Sequence, residues 1–151
     1  MLNPVQIKTK LSIGVFVKLF RQVEDHAIIR NGGSNHEYLL NIFGTNRSGR
    51  EGYVEFGSNY LSDSWTVAES VVDNEIWYFI CGTYDGSKKK IYINNSLSIE
   101  ELATGNLNPT LYSTIGSQGG SRFTKGLIDD VRIYDRALSA EEVQALYNLG
   151  Q

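Results

Sequence analysis

The chain has 151 residues, a length that predicts one domain spanning residues 1–151 around one hydrophobic core. Apolar residues make up 41% of it and charged residues 21%, which excludes a disordered or fibrous protein, and no apolar run approaches the roughly 18 residues that span a bilayer. The formal net charge of −3 provides no broad basic surface, so we expect neither nucleic acid nor a membrane as a partner.

The first predicted element is a strand over residues 10–20. Apolar residues from Leu11 to Leu19 occupy every second position there, which is the period of a strand that buries one face. Similar runs predict further strands over residues 27–30, 38–43, 52–56, 65–72, 76–84, 90–93, 111–115 and 127–134. Many short strands with glycine-rich turns, and without alternating helices, predict an all-β sandwich.

The predicted strand over residues 76–84 contains Cys81, the only cysteine of the chain. A lone cysteine in an apolar run forms no intrachain disulfide and is interpreted as a small buried apolar residue. The strand leads into Asp85-Gly86, a pair typical of tight hairpin turns, with both residues expected at central turn positions. We therefore expect it to pair antiparallel with the strand over residues 90–93.

The last predicted element is one short C-terminal helix that begins after Ser139. Ser139 can cap the first turn, and Glu142, three residues on, can complete a capping box. Val143, Leu146 and Tyr147 have the spacing of one helix face, which we expect to pack on the sandwich.

Three blocks of the sequence match the pattern of a known family. Residues 123–146, reading FTKGLIDDVRIYDRALSAEEVQAL, are similar to the closing signature of laminin-G-like domains in the concanavalin A-like lectin/glucanase superfamily. Residues 77–97 resemble the hairpin of that family, and residues 11–18 resemble its early strand, with Phe16 where members usually carry Trp. The resemblance implies an antiparallel two-sheet jelly-roll sandwich, trimmed at its N-terminus because members usually have a longer segment before the early strand.

This trimming concerns the strand over residues 127–134. Family members usually have a first strand that pairs near the carboxy-terminal one, and without it the strand would keep an unpaired edge. Bare edges invite pairing with another chain. We therefore expect a homodimer, or another protein partner, through this exposed sheet edge.

Some members of the superfamily are glycoside hydrolases, whose chemistry needs two carboxylates on either side of the scissile bond. The acidic pairs of this chain are adjacent in sequence: Glu100-Glu101 before a predicted turn, Asp129-Asp130 on a strand and Glu141-Glu142 in the helix. Adjacent residues do not converge on one bond, so a hydrolase is the less favoured interpretation and no catalytic residue is predicted.

Other chemical motifs receive structural interpretations. His26 and His36 lie near predicted loops and are interpreted as surface residues. Residues 116–121 are glycine-rich but lack the Gly-Lys-Ser/Thr that binds phosphates, which indicates a connecting loop. Lys88-Lys89-Lys90 are interpreted as a solvated turn.

Calcium is a candidate cofactor, because relatives often hold it in loops at the rim of the sandwich. Asp63, Asp73 and Asp85 could supply oxygen ligands, although no spacing assigns a site. Asp129 alternates in phase with Val131 and is expected to face inward, where it would cap backbone amides or, as the alternative, bind calcium.

The richest mixture of aromatic and polar residues lies between residues 46 and 65. A sugar site needs a planar ring that stacks on the sugar, surrounded by amides, carboxylates or arginines that bind its hydroxyls. The predicted ligand-binding residues are Asn46, Arg47, Arg50, Tyr53, Asn59, Tyr60 and Trp65. The alternative interpretation places Tyr53 and Trp65 in the core.

The sequence thus favours a non-catalytic module that binds carbohydrate, like a lectin, with a protein-interaction or structural module as the alternative. Exposure of Tyr60 and Trp65 in a groove would favour the first, and their burial beside an exposed apolar edge the second. The module is extracellular if it belongs to a longer secreted protein, and cytoplasmic if Met1 is the natural start.

Overall fold

The computed structural model describes residues 9–32, 37–110 and 112–150, which form ten strands and one helix. The strands are β1 (Leu11–Leu19), β2 (His26–Asn31), β3 (Tyr38–Ile42), β4 (Tyr53–Gly57), β5 (Trp65–Val71), β6 (Trp77–Tyr84), β7 (Lys88–Ile93), β8 (Ser96–Leu102), β9 (Ser113–Ile115) and β10 (Gly126–Tyr134). The helix, α1, spans Ala140–Leu149, and no helix in the described ranges has the length and apolar character that crossing a membrane requires.

The strands form two five-stranded antiparallel sheets. Their orders are β10-β1-β6-β7-β8 for the first sheet and β5-β4-β3-β2-β9 for the second. This arrangement confirms the predicted all-β jelly-roll sandwich with one C-terminal helix. Alternate side chains of both sheets fill the space between them, including Ile13, Ile80, Ile91, Leu40, Val54 and Phe56, each at most 1% exposed.

Strand β6 of the first sheet packs closely on Phe56 of the second sheet. A Cβ on Gly82 would lie 2.5 Å from the Phe56 ring, so β6 requires a glycine where it crosses this ring. The glycine inside a strand is therefore a packing requirement of the sandwich.

Helix α1 and the residue before its cap cover the outer face of the first sheet. Phe16, Phe79 and Cys81 on this face pack with Leu138 and Val143 in a second apolar cluster. Strand β1 is therefore buried on both faces, whereas its alternation predicted one buried face. Burial raises the pKa of the Cys81 thiol to about 12, so the residue is a packed apolar group, as its surroundings in the sequence predicted.

The helix begins with the predicted capping box. The backbone N–H of Glu142 donates to Ser139 Oγ at 3.3 Å, and the backbone N–H of Ser139 donates to the Glu142 carboxylate at 2.9 Å. The buried hydroxyl of Ser12 ties the preceding segment to β1, because it donates to the Arg136 carbonyl at 2.8 Å and accepts from the Leu138 N–H at 2.9 Å. The helix is thus fixed at its start.

The predicted hairpin joins β6 and β7 antiparallel. Gly86 has a φ of +100°, whereas Asp85 precedes the central turn positions and accepts the N–H groups of Ser87 and Lys88, each at 2.8 Å. Burial raises the pKa of Asp85, but these hydrogen bonds have the larger combined effect, so the pKa is lowered. The turn was predicted correctly, but Asp85 supplies a side-chain acceptor instead of a positive φ.

Strand β8 was not predicted from the sequence, and it changes the interpretation of two charged runs. Glu100 and Glu101 lie on β8 and pair with Lys90 and Lys89 of β7, so they do not precede a turn. Lys89 is completely buried, with Nζ 3.7 Å from Asp63 Oδ2, and burial lowers its pKa. The interpretation of the three lysines as a solvated turn is therefore wrong.

Strand β10 is an edge strand among the described residues and pairs with β1 on one side. A bulge at Asp130, where φ is +51°, interrupts that pairing and shifts the alternation of side chains. Ile128 and Val131 consequently contact the core, whereas Asp129 is exposed. The expectation that Asp129 faces inward is wrong because one extra residue in the bulge reverses its phase.

Candidate functional site

A cleft of about 370 Å³ opens on the outer face of the second sheet, within the size range of ligand sites in proteins. Its floor comes from side chains that alternate with the core residues of the strands. Asn41 of β3 is the cross-strand partner of Glu55 of β4, and Trp65 of β5 is the cross-strand partner of Gly57 of β4. The sheet register therefore brings an amide, a carboxylate and an indole to one surface.

Trp65 supplies the aromatic wall of the cleft and is partly exposed. Its neighbour across the sheet is Gly57, where a Cβ would lie 1.9 Å from the Ser64 carbonyl oxygen and 3.1 Å from Trp65 Cε3. A side chain at residue 57 would clash with the Ser64 carbonyl oxygen. The backbone next to Trp65 therefore requires a glycine at this position.

Glu55 is the one carboxylate among the described residues that line the cleft. Burial raises its pKa, and this effect exceeds the lowering by Arg47 and by a hydrogen bond from Asn41. A partly desolvated carboxylate beside an amide can accept hydrogen bonds from ligand hydroxyls.

Arg47 enters the cleft from the loop between β3 and β4, and a buried carboxylate fixes its position. Asp25, whose side chain is 2% exposed, accepts hydrogen bonds from Arg47 Nε at 3.3 Å, Arg47 Nη2 at 2.8 Å and the Gly44 N–H at 3.2 Å. Burial raises the pKa of Asp25, but these hydrogen bonds outweigh it and lower the pKa below its ordinary value. The guanidinium also lies over the Phe43 ring, 5.0 Å from its centroid.

The structure brings three of the seven predicted ligand-binding residues into the cleft. Arg47, Asn59 and Trp65 line it, and Tyr53 lies on the same face of β4, two residues before Glu55. Tyr53 and Trp65 are partly exposed on this outer face and do not belong to the core between the sheets.

The other three predicted residues lie outside the cleft lining. Asn46 and Tyr60 are exposed, and Tyr60 has 39% of its surface accessible. The guanidinium of Arg50 lies over the Phe43 ring, 5.2 Å from its centroid. Their participation in ligand binding stays a prediction for residues beside the cleft rather than within it.

Five polar residues of the lining were not predicted from the sequence: Arg30, Asn41, Glu55, Gln118 and Arg122. Arg30, Asn41 and Glu55 occupy positions on predicted strands, so the period of two could have placed them on one face. Gln118 and Arg122 come from the glycine-rich segment interpreted as a connecting loop. Only the fold shows that this loop borders the cleft.

The interpretation of His26 as a surface residue is wrong. His26 begins β2 and is 3% exposed, and burial lowers its pKa to about 4 despite the neighbouring carboxylates of Asp25 and Glu51. It is therefore neutral at pH 7. His36 lies outside the described residues.

The three aspartates considered as calcium ligands have different partners. Asp63 lies near Lys89, Asp73 accepts a hydrogen bond from the Tyr78 hydroxyl at 3.1 Å, and Asp85 accepts from its own turn. In the described part of the chain, no group of three or more His, Cys, Asp and Glu side chains is arranged to hold a metal ion. Calcium binding stays a prediction without an assigned site.

A second cleft of about 590 Å³ lies beside α1 on the outer face of the first sheet. Trp77, 43% exposed, is part of its lining. The two carboxylates that line this second cleft have local partners. Asp129 accepts a hydrogen bond from the Asp130 N–H at 2.8 Å, and Asp130 accepts hydrogen bonds from Arg132. We take the first cleft as the candidate site because its aromatic ring lies beside polar groups of several strands and loops.

The family model described as the concanavalin A-like lectin/glucanases superfamily matches residues 3–144 of the chain. The search of curated proteins found no match to the chain. The model match includes both sheets and the first turn of α1.

Solved structures share the fold at low sequence identity. A protein from Bacteroides ovatus, described as a candidate carbohydrate-binding protein, is 17% identical with a TM-score of 0.79, and the match covers 93% of this chain and 42% of that chain. Domain 4 of an extracellular arabinanase from Geobacillus stearothermophilus, in complex with arabinotriose, is 18% identical with a TM-score of 0.72, covering 93% and 67%. A heptameric SAP-like pentraxin from Limulus polyphemus is 15% identical with a TM-score of 0.73, covering 93% and 70%. At these identities the similarity shows the jelly-roll fold alone.

Proposed function

Because the chain belongs to the concanavalin A-like lectin/glucanases superfamily, we propose that it is a non-catalytic, lectin-like module that binds carbohydrate in the cleft of the second sheet. The observation that carries this proposal is the position of Trp65 beside Asn41 and Glu55. An indole face can stack on a sugar ring while an amide and a carboxylate bind its hydroxyls. The arabinanase domain in complex with arabinotriose, and the description of the Bacteroides ovatus protein, support the same ligand class.

The non-catalytic part of the proposal rests on the carboxylates. Glycoside hydrolysis generally uses two carboxyl groups that flank the bond, about 5–10 Å apart. Glu55 is the single carboxylate among the described residues of the lining, and Asp25 lies beneath Arg47 with its oxygens hydrogen-bonded. This arrangement favours binding over hydrolysis.

We expect Trp65→Ala to weaken saccharide binding about tenfold, which corresponds to about 1.4 kcal/mol and is of the order of one aromatic stacking contact. A glycan array screened with and without calcium would identify the saccharide, and calorimetry would then measure the affinity of the variant. Trp77→Ala is the matched control, because Trp77 is a partly exposed tryptophan of the other cleft.

Binding that survives in Trp65→Ala but disappears in Trp77→Ala would move the site to the first sheet. Failure of the unchanged protein to bind any saccharide, in either calcium condition, would contradict the proposed function. Circular dichroism of both variants would establish that each retains the fold.

A role in protein interaction through β10 is the second candidate, since this strand pairs on one side only among the described strands. The bulge at Asp130 and the ion pair between Asp130 and Arg132 oppose edge-to-edge pairing. Light scattering at high concentration tests the homodimer predicted from the sequence, and a mass near the 16.9 kDa of one chain would contradict it. A stable dimer mass would favour the interaction role.

A further inference from the structure

Two arginines of the cleft share one buried carboxylate. Arg47 Nη2 lies 2.8 Å from Asp25 Oδ2, and Arg122 Nη1 lies 4.0 Å from the same oxygen. Glu24 lies 4.0 Å from Arg122 Nε, so two carboxylates, one buried and one exposed, lie beside the two guanidiniums. Both guanidiniums are accessible from the cleft, because the Arg47 and Arg122 side chains are 46% and 44% exposed.

Arg122 has hydrogen-bonding capacity available for a ligand. Its guanidinium makes no hydrogen bond with the described residues, since its contacts to Asp25 and Glu24 are both 4.0 Å long. The Glu24 side chain is 62% exposed, so water screens that attraction. Guanidinium groups have five N–H donors in a planar fork that matches carboxylate and sulfate oxygens.

The backbone of Arg122 is also unusual. Its φ is +46°, a left-handed conformation that is uncommon for residues other than glycine. Gly119 and Gly120, just before it, also have positive φ. Uncommon conformations of this kind concentrate at ligand sites, where the surrounding structure holds a side chain in a required position.

Three arginines, Arg30, Arg47 and Arg122, and one carboxylate, Glu55, line the cleft. Acidic neighbours behind the lining offset part of this positive charge: Asp25 beside Arg47, Glu24 beside Arg122 and Glu37 near Arg30. Burial lowers the pKa of Arg30, and the nearby carboxylate of Glu37 raises it. Repulsion between the guanidiniums of Arg30 and Arg122 lowers the pKa of Arg30 further. Binding of an anion would relieve this repulsion.

We propose that the cleft recognises an acidic saccharide, whose carboxylate or sulfate group lies against the guanidiniums of Arg47 and Arg122. This inference rests on the proposed carbohydrate-binding function and specifies its ligand class. Asp25 holds Arg47 in position from below, and Arg122 contributes N–H donors that no described residue accepts. The neutral hydroxyls of the same saccharide would face Trp65 and Glu55.

The test is an array that pairs neutral oligosaccharides with their uronate and sulfated counterparts, followed by calorimetry on the best pair. We expect the acidic member to bind at least tenfold more tightly than its neutral counterpart, with the preference falling as salt is raised. The uronate and sulfated arms distinguish a carboxylate ligand from a sulfate ligand.

Arg122→Gln is expected to reduce severalfold the preference for the acidic saccharide, measured in the same variant as the ratio of the acidic to the neutral affinity. Its folding should be preserved, because the guanidinium makes no hydrogen bond with the described residues. Arg21→Gln is the matched control, since Arg21 is an arginine outside the cleft lining, 72% exposed and paired with Glu51. This control should retain the preference.

Equal binding of neutral and acidic saccharides would overturn this inference and leave the proposed function intact. An acidic preference that persists undiminished in Arg122→Gln would overturn the assignment of the site. Failure of every saccharide to bind would overturn the proposed function and this inference with it.

Discussion

Replacement of Asp25 by alanine is expected to lower the free energy of unfolding by about 2 kcal/mol at pH 7, the order found when a buried acceptor of charged hydrogen bonds is removed. The Asp25 side chain is 2% exposed and accepts hydrogen bonds from Arg47 and from the Gly44 N–H. The substitution leaves both donors without their acceptor and opens a small cavity. Urea denaturation, monitored by tryptophan fluorescence, would measure the loss.

Two further variants separate the causes of this loss. Asp25→Asn preserves the volume and an acceptor for the Gly44 N–H but removes the charge, so we expect an intermediate loss. Glu51→Gln breaks an ion pair between Glu51 and Arg21, whose side chains are 37% and 72% exposed respectively. We expect it to lower the free energy of unfolding by less than about 1 kcal/mol. A loss in Asp25→Ala no larger than that in Glu51→Gln would contradict the structural role of Asp25.

The elements predicted correctly are those whose signals are local in sequence. The alternation from Leu11 to Leu19, the Asp85-Gly86 turn and the capping box of Ser139 and Glu142 each depend on residues within one element. Such patterns reflect side-chain periodicity and backbone conformation, which the sequence states directly. The fold class followed from them.

The elements predicted wrongly depend on contacts between distant segments. Strand β8 has weak alternation and is held by pairing with β7, including an ion pair between Lys90 and Glu100 at 3.0 Å. Asp129 faces solvent because a bulge shifts the register of β10 against β1. Neither the pairing nor the bulge has a signal inside its own segment.

The candidate site divides in the same way. Composition drew attention to residues 46–65, which supply Arg47, Asn59 and Trp65 to the cleft. Its other polar groups come from β2, β3, β4 and the loop after β9, and only the sheet register brings them together. The acidic anchor of Arg47 lies 22 residues before it, so the charge of the cleft could not be predicted from local sequence.

The second large effect is an acid destabilisation caused by His26. Its side chain is buried, and Nδ1 has no hydrogen-bond partner among the described residues. Burial lowers the pKa from its usual value near 6.5 to about 4, while Asp25 and Glu51 oppose that shift. Protonation would therefore place an unfavourable charge inside the fold.

The sign of the effect follows from proton binding. Between pH 6.5 and about 4 the unfolded chain binds a proton at His26 and the folded chain does not, so stability falls as the pH falls through this window. The total loss is about 3 kcal/mol, on the scale of 1.4 kcal/mol for each pKa unit. The pKa of Asp25 is lowered, so its ionised carboxylate stabilises the fold above the ordinary aspartate value of 3.8. That stabilisation is lost only as the pH falls below this value, which is below the range in which His26 titrates.

We expect denaturation midpoints of the unchanged protein to fall steadily from pH 7 to pH 4, and those of His26→Gln to fall much less, because glutamine does not titrate. His36→Gln removes the other histidine of the chain and controls for the general loss of a titrating group. Parallel pH profiles for the unchanged protein and His26→Gln would show that His26 does not cause the acid sensitivity. A profile flattened only in His26→Gln would identify the buried imidazole at the start of β2, next to the Asp25 anchor of the cleft, as the group that limits stability in mild acid.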